Sequence, residues 1–216
     1  MIMKKIAIIG ASGFGKEIAF LIERLSEWEI IGFYDDNVEQ HNDTVYGYKI
    51  LGNITELSMV TTDLSVVCAI GKPKVRKKII DKIQNNKNLS FPNIIDSTAI
   101  VGKSVELGMG NIICANAVLT VDIKIDDFNI INLSSTIGHD VTLNSFNTLY
   151  PTVNVSGNVT SENYVEFGTG TQVIQGLRIA EGAIIGAGSV VVRDIERYTT
   201  SVGVPAKTIK IKGDGK

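Results

Sequence analysis

INLSSTIGHDVTLNSFNTLYPTVNVSG, residues 131–157, carries a large apolar side chain at every sixth place: Ile131, Ile137, Leu143, Leu149 and Val155. The same register extends outward without a break, back to Val101 and on to Val191. Of the sixteen positions in that series only Ser161 is not apolar. In a chain that is 44% hydrophobic, about seven would be apolar by chance. A period of six matches neither an isolated helix, with about 3.6 residues per turn, nor a single strand, which alternates. It matches a coil of short strands, each giving one large side chain to a narrow interior and stacking on the next coil. Two places before the large residues stand small ones, such as Val105, Ala117, Ser135, Val141, Val153, Val165, Thr171 and Ser189, which fit beside them. The spacing predicts a parallel β-helix of hexapeptide repeats.

Three hexads per coil make residues eighteen apart stack, with strands about 4.8 Å from coil to coil and a prism roughly 25 Å long. Asn93, Asn111, Asn129 and Asn147 then fall in one column, which reads as an amide ladder satisfying buried polar groups near a corner. Ser161 breaks the inward series without an evident reason in the sequence.

The rest of the composition narrows the function classes. A net charge of −2 argues against nucleic-acid binding through a broad basic field. No run of about 18 apolar residues is present, and Met1 to Lys5 lead straight into a strand, so neither a membrane span nor a signal peptide is expected and the location reads as cytoplasmic. Cys68 and Cys114 make no disulfide framework, and two histidines in total are too few for a histidine-built metal site.

The first ninety residues have a different texture. Lys4 to Ile9 is a short apolar strand, Gly10-Ala11-Ser12-Gly13-Phe14-Gly15 a glycine-rich turn, and Lys16 to Leu25 has helical spacing. Such a turn either offers backbone N–H groups and a helix N-terminus to a phosphate or simply connects tightly. A second strand, Ile30 to Tyr34, ends in Asp35-Asp36, about twenty residues on, where an acid meets a ribose or base edge in nucleotide-binding α/β units. A third, Ser65 to Ile70, ends at Gly71 and leads into the basic stretch from Lys72 to Ile80, read as a solvated helix face. The polar spacer from Asp36 to Gly52, with His41, reads as a loop. Ninety residues hold only half of a two-lobed dinucleotide fold, so a nucleotide monophosphate or a nucleotide-sugar fits better. The organisation expected is an α/β Rossmann-like substrate-binding domain over 1–92, a β-helix over 93–195, and a C-terminal tail over 196–216.

His139 follows Ile137-Gly138, two places past an inward residue, so it begins a turn and does not fill the core. An imidazole, with an ordinary pKa near 6.5, is the natural proton acceptor at neutral pH, and Asp140 next to it is placed to orient the ring. A surface histidine without chemistry is the alternative on spacing alone.

The Gly-Ala-Ser-Gly-x-Gly turn, the Asp-Asp after the second strand, Ala69-Ile70-Gly71, the hexapeptide prism and the closing Val202-Gly203-Val204-Pro205-Ala206-Lys207 occur here together. In that combination the whole chain resembles the bacterial sugar O/N-acetyltransferases of the sialic-acid and nucleotide-4-amino-sugar type (PglD/NeuD-like). The resemblance implies a left-handed β-helix, a homotrimer with sites between neighbouring prisms, acetyl-CoA as cosubstrate and no metal. It implies a nucleotide-sugar acceptor, a UDP-sugar first, held by the N-terminal domain. It assigns His139 as general base, Asp140 as its acidic helper and Asn132 as an active-site asparagine. Gly157, Thr169 and Ala187 match the acetyl-CoA channel. Lys207, with Lys210 and Lys212, reads either as meeting the CoA phosphates or as a solvated tail, while Ser12, Gly13, Phe14, Asp35, Asp36 and Gly71 match the nucleotide-sugar contacts. Three positions depart from the pattern. Phe14 stands where many members have histidine, Gly138 where a glutamate often precedes the base, and Thr148 where a second histidine contacts acetyl-CoA. The competing expectations are O-acetylation of sialic acid or a related free sugar, and a non-catalytic nucleotide-sugar-binding relative.

Overall fold

The computed structural model describes residues 3–37 and 44–211. His41 and Lys212 lie outside them. The chain divides into two compact units, Met1–Ser97 and Thr98–Lys216.

The first unit is an α/β layer. Its elements are β1 (Lys4–Ile9), α1 (Gly13–Glu23), β2 (Trp28–Tyr34), β3 (Thr44–Val45), β4 (Tyr48–Gly52), α2 (Ile54–Ser58), β5 (Leu64–Cys68), α3 (Pro73–Ile83) and β6 (Leu89–Ser90). The sheet order is β3-β4-β2-β1-β5-β6, with β1 parallel to both β2 and β5. Ile6, Ala7, Ile8 and Ile9 are buried as a continuous run, as expected of a central parallel strand covered on both faces. α1 packs Ile18, Ala19, Leu21 and Ile22 inward. Its seating depends on Gly15, where a Cβ would stand 1.9 Å from the Gly10 carbonyl oxygen, so only glycine lets the helix approach the turn this closely.

The basic stretch corrects the reading of a wholly solvated face. Lys74 and Lys78 are exposed, but Arg76 is 1% exposed and lies under the loop after β5, donating through Nη1 to the carbonyls of Ile70 and Gly71. A buried guanidinium is retained where its donors are matched; here it fixes the turn that follows the third strand.

The second unit is a parallel β-helix. Strands of two or three residues recur every six and stack in three sheets, each pairing with the strand eighteen residues on. The first face holds Ile130–Ile131, Thr148–Leu149 and Glu166–Phe167. The second holds Thr136–Ile137, Asn154–Val155, Gln172–Val173 and Val190–Val191, and the third Thr142–Leu143, Thr160–Ser161 and Arg178–Ile179. The inward series from Ile113 to Val191 is buried throughout, Ser161 included. At the corners one residue in six has a left-handed backbone: Asn116, Asp122, Phe128, Ser134, Asp140, Phe146, Thr152, Asn158 and Tyr164, then Gly170, Gly176, Gly182 and Gly188. Asn, Asp and Gly accept that conformation readily. The less tolerant Phe128 and Phe146 are held by stacking, their ring centroids 5.2 Å apart and the planes 18° from parallel.

The asparagine column is a hydrogen-bonded ladder. The side-chain oxygens of Asn111, Asn129 and Asn147 each accept the backbone N–H eighteen residues on, from Asn129, Asn147 and Val165, all at 2.8 Å. Ser161 now has a physical account: its hydroxyl reaches Asn147 Oδ1 at 3.3 Å, at the rung where the ladder ends. Past residue 195 the chain remains in strand. Thr199–Val202 pairs in parallel with Ile184–Ile185, and Lys207–Ile211 pairs antiparallel to Thr199–Val202.

Candidate active site

His139 and Asp140 form the corner between the second and third faces of the β-helix. Backbone bonds to the coils on either side hold it: the Asn158 N–H donates to the His139 carbonyl at 2.8 Å and the Asp140 N–H to Val121 O at 3.3 Å. The imidazole Nδ1 lies 2.7 Å from Asp140 Oδ2. A proton on Nδ1 shared with that carboxylate leaves Nε2 as the ring's acceptor. Both side chains are well exposed, at 65% and 60%, so the pair is open to a reactant. The ring lies over Gly157, one coil on, where a Cβ would be 2.5 Å from Nε2. Gly138 faces the same approach, with a Cβ there meeting Gly157 N at 2.8 Å. Glycine at 157 leaves room for the ring, and glycine at 138 lets the two coils approach backbone to backbone.

The other prism residues singled out in the sequence divide by location. Asn132, Thr169 and Ala187 lie on the preceding corner, between the first and second faces. Asn132 is 5% exposed, with Oδ1 accepting the Leu133 N–H at 2.7 Å, while Thr169 and Ala187 are exposed. In one chain the whole second face separates that corner from His139 and Gly157. Thr148 is 1% exposed, in a strand of the first face opposite the His139 corner. Lys207 is exposed at the start of the last strand.

In the first unit a recess of about 250 Å³ opens at the ends of β1 and β2. Ser12, Asp35 and Asp36 are in its wall with Gly10, Tyr34 and Ile54, whereas Gly13, Phe14 and Gly71 are not. Asp35 is committed to the backbone: Oδ2 accepts from Ala11 N–H and Oδ1 from Asn37 N–H, both at 2.8 Å. It therefore ties the glycine turn to the end of β2. Asp36 Oδ1 accepts from Ile54 N–H at 3.0 Å and its other oxygen lies 4.0 Å from Lys82 Nζ. Ser12 makes no side-chain cap on α1, so the first-turn N–H groups of that helix have no partner from it. Burial, then the Glu56 carboxylate, raises the Tyr34 phenol above its ordinary range, keeping a neutral hydroxyl in the wall. Arg76, hidden in a run of lysines, was not evident from sequence; its only signal was being the single arginine there.

A nucleophilic cysteine finds no support in this geometry. Burial pushes the Cys68 thiol up to about 12, and Cys114 is 4% exposed. Among the described residues no group of three or more His, Cys, Asp or Glu is placed to hold a metal ion, and no helix is long and apolar enough to cross a membrane.

Comparison with known proteins gives consistent answers. The PglD N-terminal domain family matches residues 5–83. The acetyltransferase domain of PglB from Neisseria gonorrhoeae FA1090 is 30% identical and superposes with a TM-score of 0.89, over 95% of this chain and 100% of that one. A histidine mutant of perosamine N-acetyltransferase from Caulobacter crescentus, solved with CoA and GDP-perosamine, is also 30% identical, covers 99% of each chain and has a TM-score of 0.89. The chain belongs to the bacterial hexapeptide-repeat sugar acetyltransferases. Among curated relatives of this family, UDP-N-acetylbacillosamine N-acetyltransferase of Bacillus subtilis (strain 168) is 33% identical over 109 residues, half of this chain and half of that protein.

Proposed function

We propose that this acetyltransferase moves an acetyl group from acetyl-CoA to the amine of a nucleotide-linked amino-sugar, a UDP-linked 4-amino-sugar first, with His139 as general base. The observation that carries the reading is the His139–Asp140 pair, ordered by a 2.7 Å contact on an exposed prism edge, in a chain alike over 99% of its length to a protein crystallised with CoA and GDP-perosamine. The amine attacks the thioester carbonyl while Nε2 of His139 takes its proton. The tetrahedral intermediate then expels the CoA thiolate as the carbon–sulfur bond breaks. Asp140 orients the ring and stabilises the imidazolium that forms. Holding both reactants together supplies much of the remaining rate.

The recess of the N-terminal unit, Rossmann-like in its parallel sheet and glycine turn, supports binding of the nucleotide. Ser12 and the adjoining Gly13 and Phe14 N–H groups suit the diphosphate, and Asp36 suits a ribose or base edge. Gly71 acts through the turn that Arg76 fixes. A homotrimer accounts for the divided site: His139 and Gly157 of one chain would meet Asn132, Thr169, Ala187 and Lys207 of a second copy across the cosubstrate. Thr148, buried on the opposite face, is left out of that arrangement. O-acetylation of a free sugar is disfavoured because the bacillosamine and perosamine enzymes that this chain resembles are N-acetyltransferases of nucleotide-linked sugars.

The test is thiol release from acetyl-CoA against nucleotide 4-amino-sugars and sialic acid. Turnover with the former supports the reading. Tight nucleotide-sugar binding with no turnover of any acceptor would replace the enzyme by a sensor.

The Gly157 contact makes a second prediction. Gly157→Ala places a methyl where the imidazole lies and should lower kcat by about tenfold or more by turning the ring from its line of attack. The melting temperature should hardly move, because the exposed ring can swing aside. Unchanged kcat would show that the ring position over Gly157 is immaterial.

A further inference from the structure

Arg76 holds three successive carbonyls of the turn that follows β5. Its side chain donates through Nη1 to Ile70 and Gly71, the latter at 3.1 Å, and its own N–H donates to Lys72 at 3.0 Å. In a planar trans peptide the N–H points opposite to the carbonyl. Gathering the Ile70 and Gly71 carbonyls toward Arg76 therefore turns the Gly71 and Lys72 N–H groups to the other side. The side chain is 1% exposed, so it sets this geometry from beneath and meets no reactant itself.

The turn acts on the recess of the N-terminal unit by two routes. Ile70 is in the recess wall, and so are Val75 and Ile79, which stand on either side of Arg76 in α3. Ile70 also packs against the glycine turn: a Cβ at Gly10 would stand 2.7 Å from Ile70 Cδ1 and 3.0 Å from the Ala69 carbonyl oxygen. Gly10 is in turn the residue on which Gly15 seats α1. A shift of the Ile70 turn is thus passed to the start of α1, where Ser12 stands in the wall. From the β2 side Asp35 braces the same glycine turn through the Ala11 N–H. The recess lies between two charged side chains, each tied to backbone groups.

We infer that Arg76 is the positioning residue of the nucleotide recess, setting both its Ile70 wall and the glycine turn that receives the diphosphate. The inference rests on the nucleotide-sugar reading and extends it to a residue that touches no substrate.

Calorimetry on the full chain with UDP or GDP, whichever binds more tightly, and separately with CoA tests it. Arg76→Met keeps an apolar stem and removes the donors. It should weaken nucleotide binding by about tenfold or more, since hydrogen bonds from a charged group are lost and the wall is free to shift. CoA affinity should stay within about twofold, because the residues proposed to meet it are on the prism. Arg76→Lys keeps the charge without the fork and should recover only part of the loss. Ile80→Ala is the control for stability, as Ile80 is 1% exposed on the same helix and is not in the recess wall. It should lower the melting temperature and leave nucleotide affinity within about twofold. In turnover, Arg76→Met should raise KM for the nucleotide-sugar while kcat and KM for acetyl-CoA change little.

Unchanged nucleotide affinity in Arg76→Met would overturn the inference. An equal loss in Ile80→Ala would also overturn it, making Arg76 a stabilising residue only. Should Arg76→Met not fold, Arg76→Lys against Ile80→Ala decides in the same way. An unaltered protein that binds neither nucleotide would refute the nucleotide-sugar reading and the inference together. One that binds a nucleotide, loses affinity on Arg76→Met and acetylates no acceptor would refute acetyl transfer and leave the role of Arg76 standing.

Discussion

Replacing His139 by alanine is expected to lower kcat at least about a hundredfold, the usual worth of a positioned general base. KM for acetyl-CoA should change little, because the imidazole meets only the reacting end of the cosubstrate. Folding should be untouched, since the side chain is 65% exposed and the backbone bonds of this corner, Asn158 N–H to His139 O and Asp140 N–H to Val121 O, do not depend on it. Asp140→Asn keeps the corner but removes the charge that orients Nδ1, so its loss should be smaller, about tenfold. Steady-state rates with thermal unfolding as control separate these outcomes. A rate within about threefold of the unaltered protein would remove His139 from the mechanism.

The largest effect on stability is expected at Asn147. Its side chain accepts the Val165 N–H and the Ser161 hydroxyl and donates to the Asn144 carbonyl at 2.7 Å, all in the prism interior. Truncation to alanine strands several buried polar groups at once, at about 1–3 kcal/mol for each. Asn147→Ala should therefore cost at least about 3 kcal/mol. Asn154 makes a comparable chain on the outside, accepting from Thr136 at 2.6 Å and donating to Gln172 at 3.1 Å. Water replaces those partners, so Asn154→Ala should cost no more than about 0.5 kcal/mol. Denaturant unfolding of the two variants measures the contrast. Similar losses would show that the inner ladder is not what locks the coils.

The prism was legible in the sequence because each coil repeats one demand, a large inward residue every six with a small one two places before it; the left-handed corners were not, since Phe128, Phe146 and Tyr164 stand among them. His139 was legible because it broke that monotony. Asn132, Thr169 and Ala187 stand on a different corner from it. His139 and Thr169 differ by thirty residues, which is not a multiple of eighteen, so they fall on different corners; the arithmetic was available, but motif matching alone does not supply it. Other features were not legible in principle. A lysine-rich helix conceals which cation turns inward, so Arg76 required coordinates. The role of Asp35 as a brace between Ala11 and Asn37 depends on hydrogen bonds between segments distant in sequence. Ser161 looked like a flaw in the series until Asn147 was found beside it.

The most direct test of the account follows the acetyl group itself. Acetyl-CoA labelled with carbon-13 at the carbonyl is mixed with the protein and a UDP-linked 4-amino-sugar, and the label is tracked by NMR as thiol is released. The account predicts an amide carbonyl on the sugar nitrogen, formed in equal amount with free CoA and absent when His139 is alanine. Label appearing as acetate or as a sugar ester, or remaining on CoA with every nucleotide amino-sugar supplied, would contradict it.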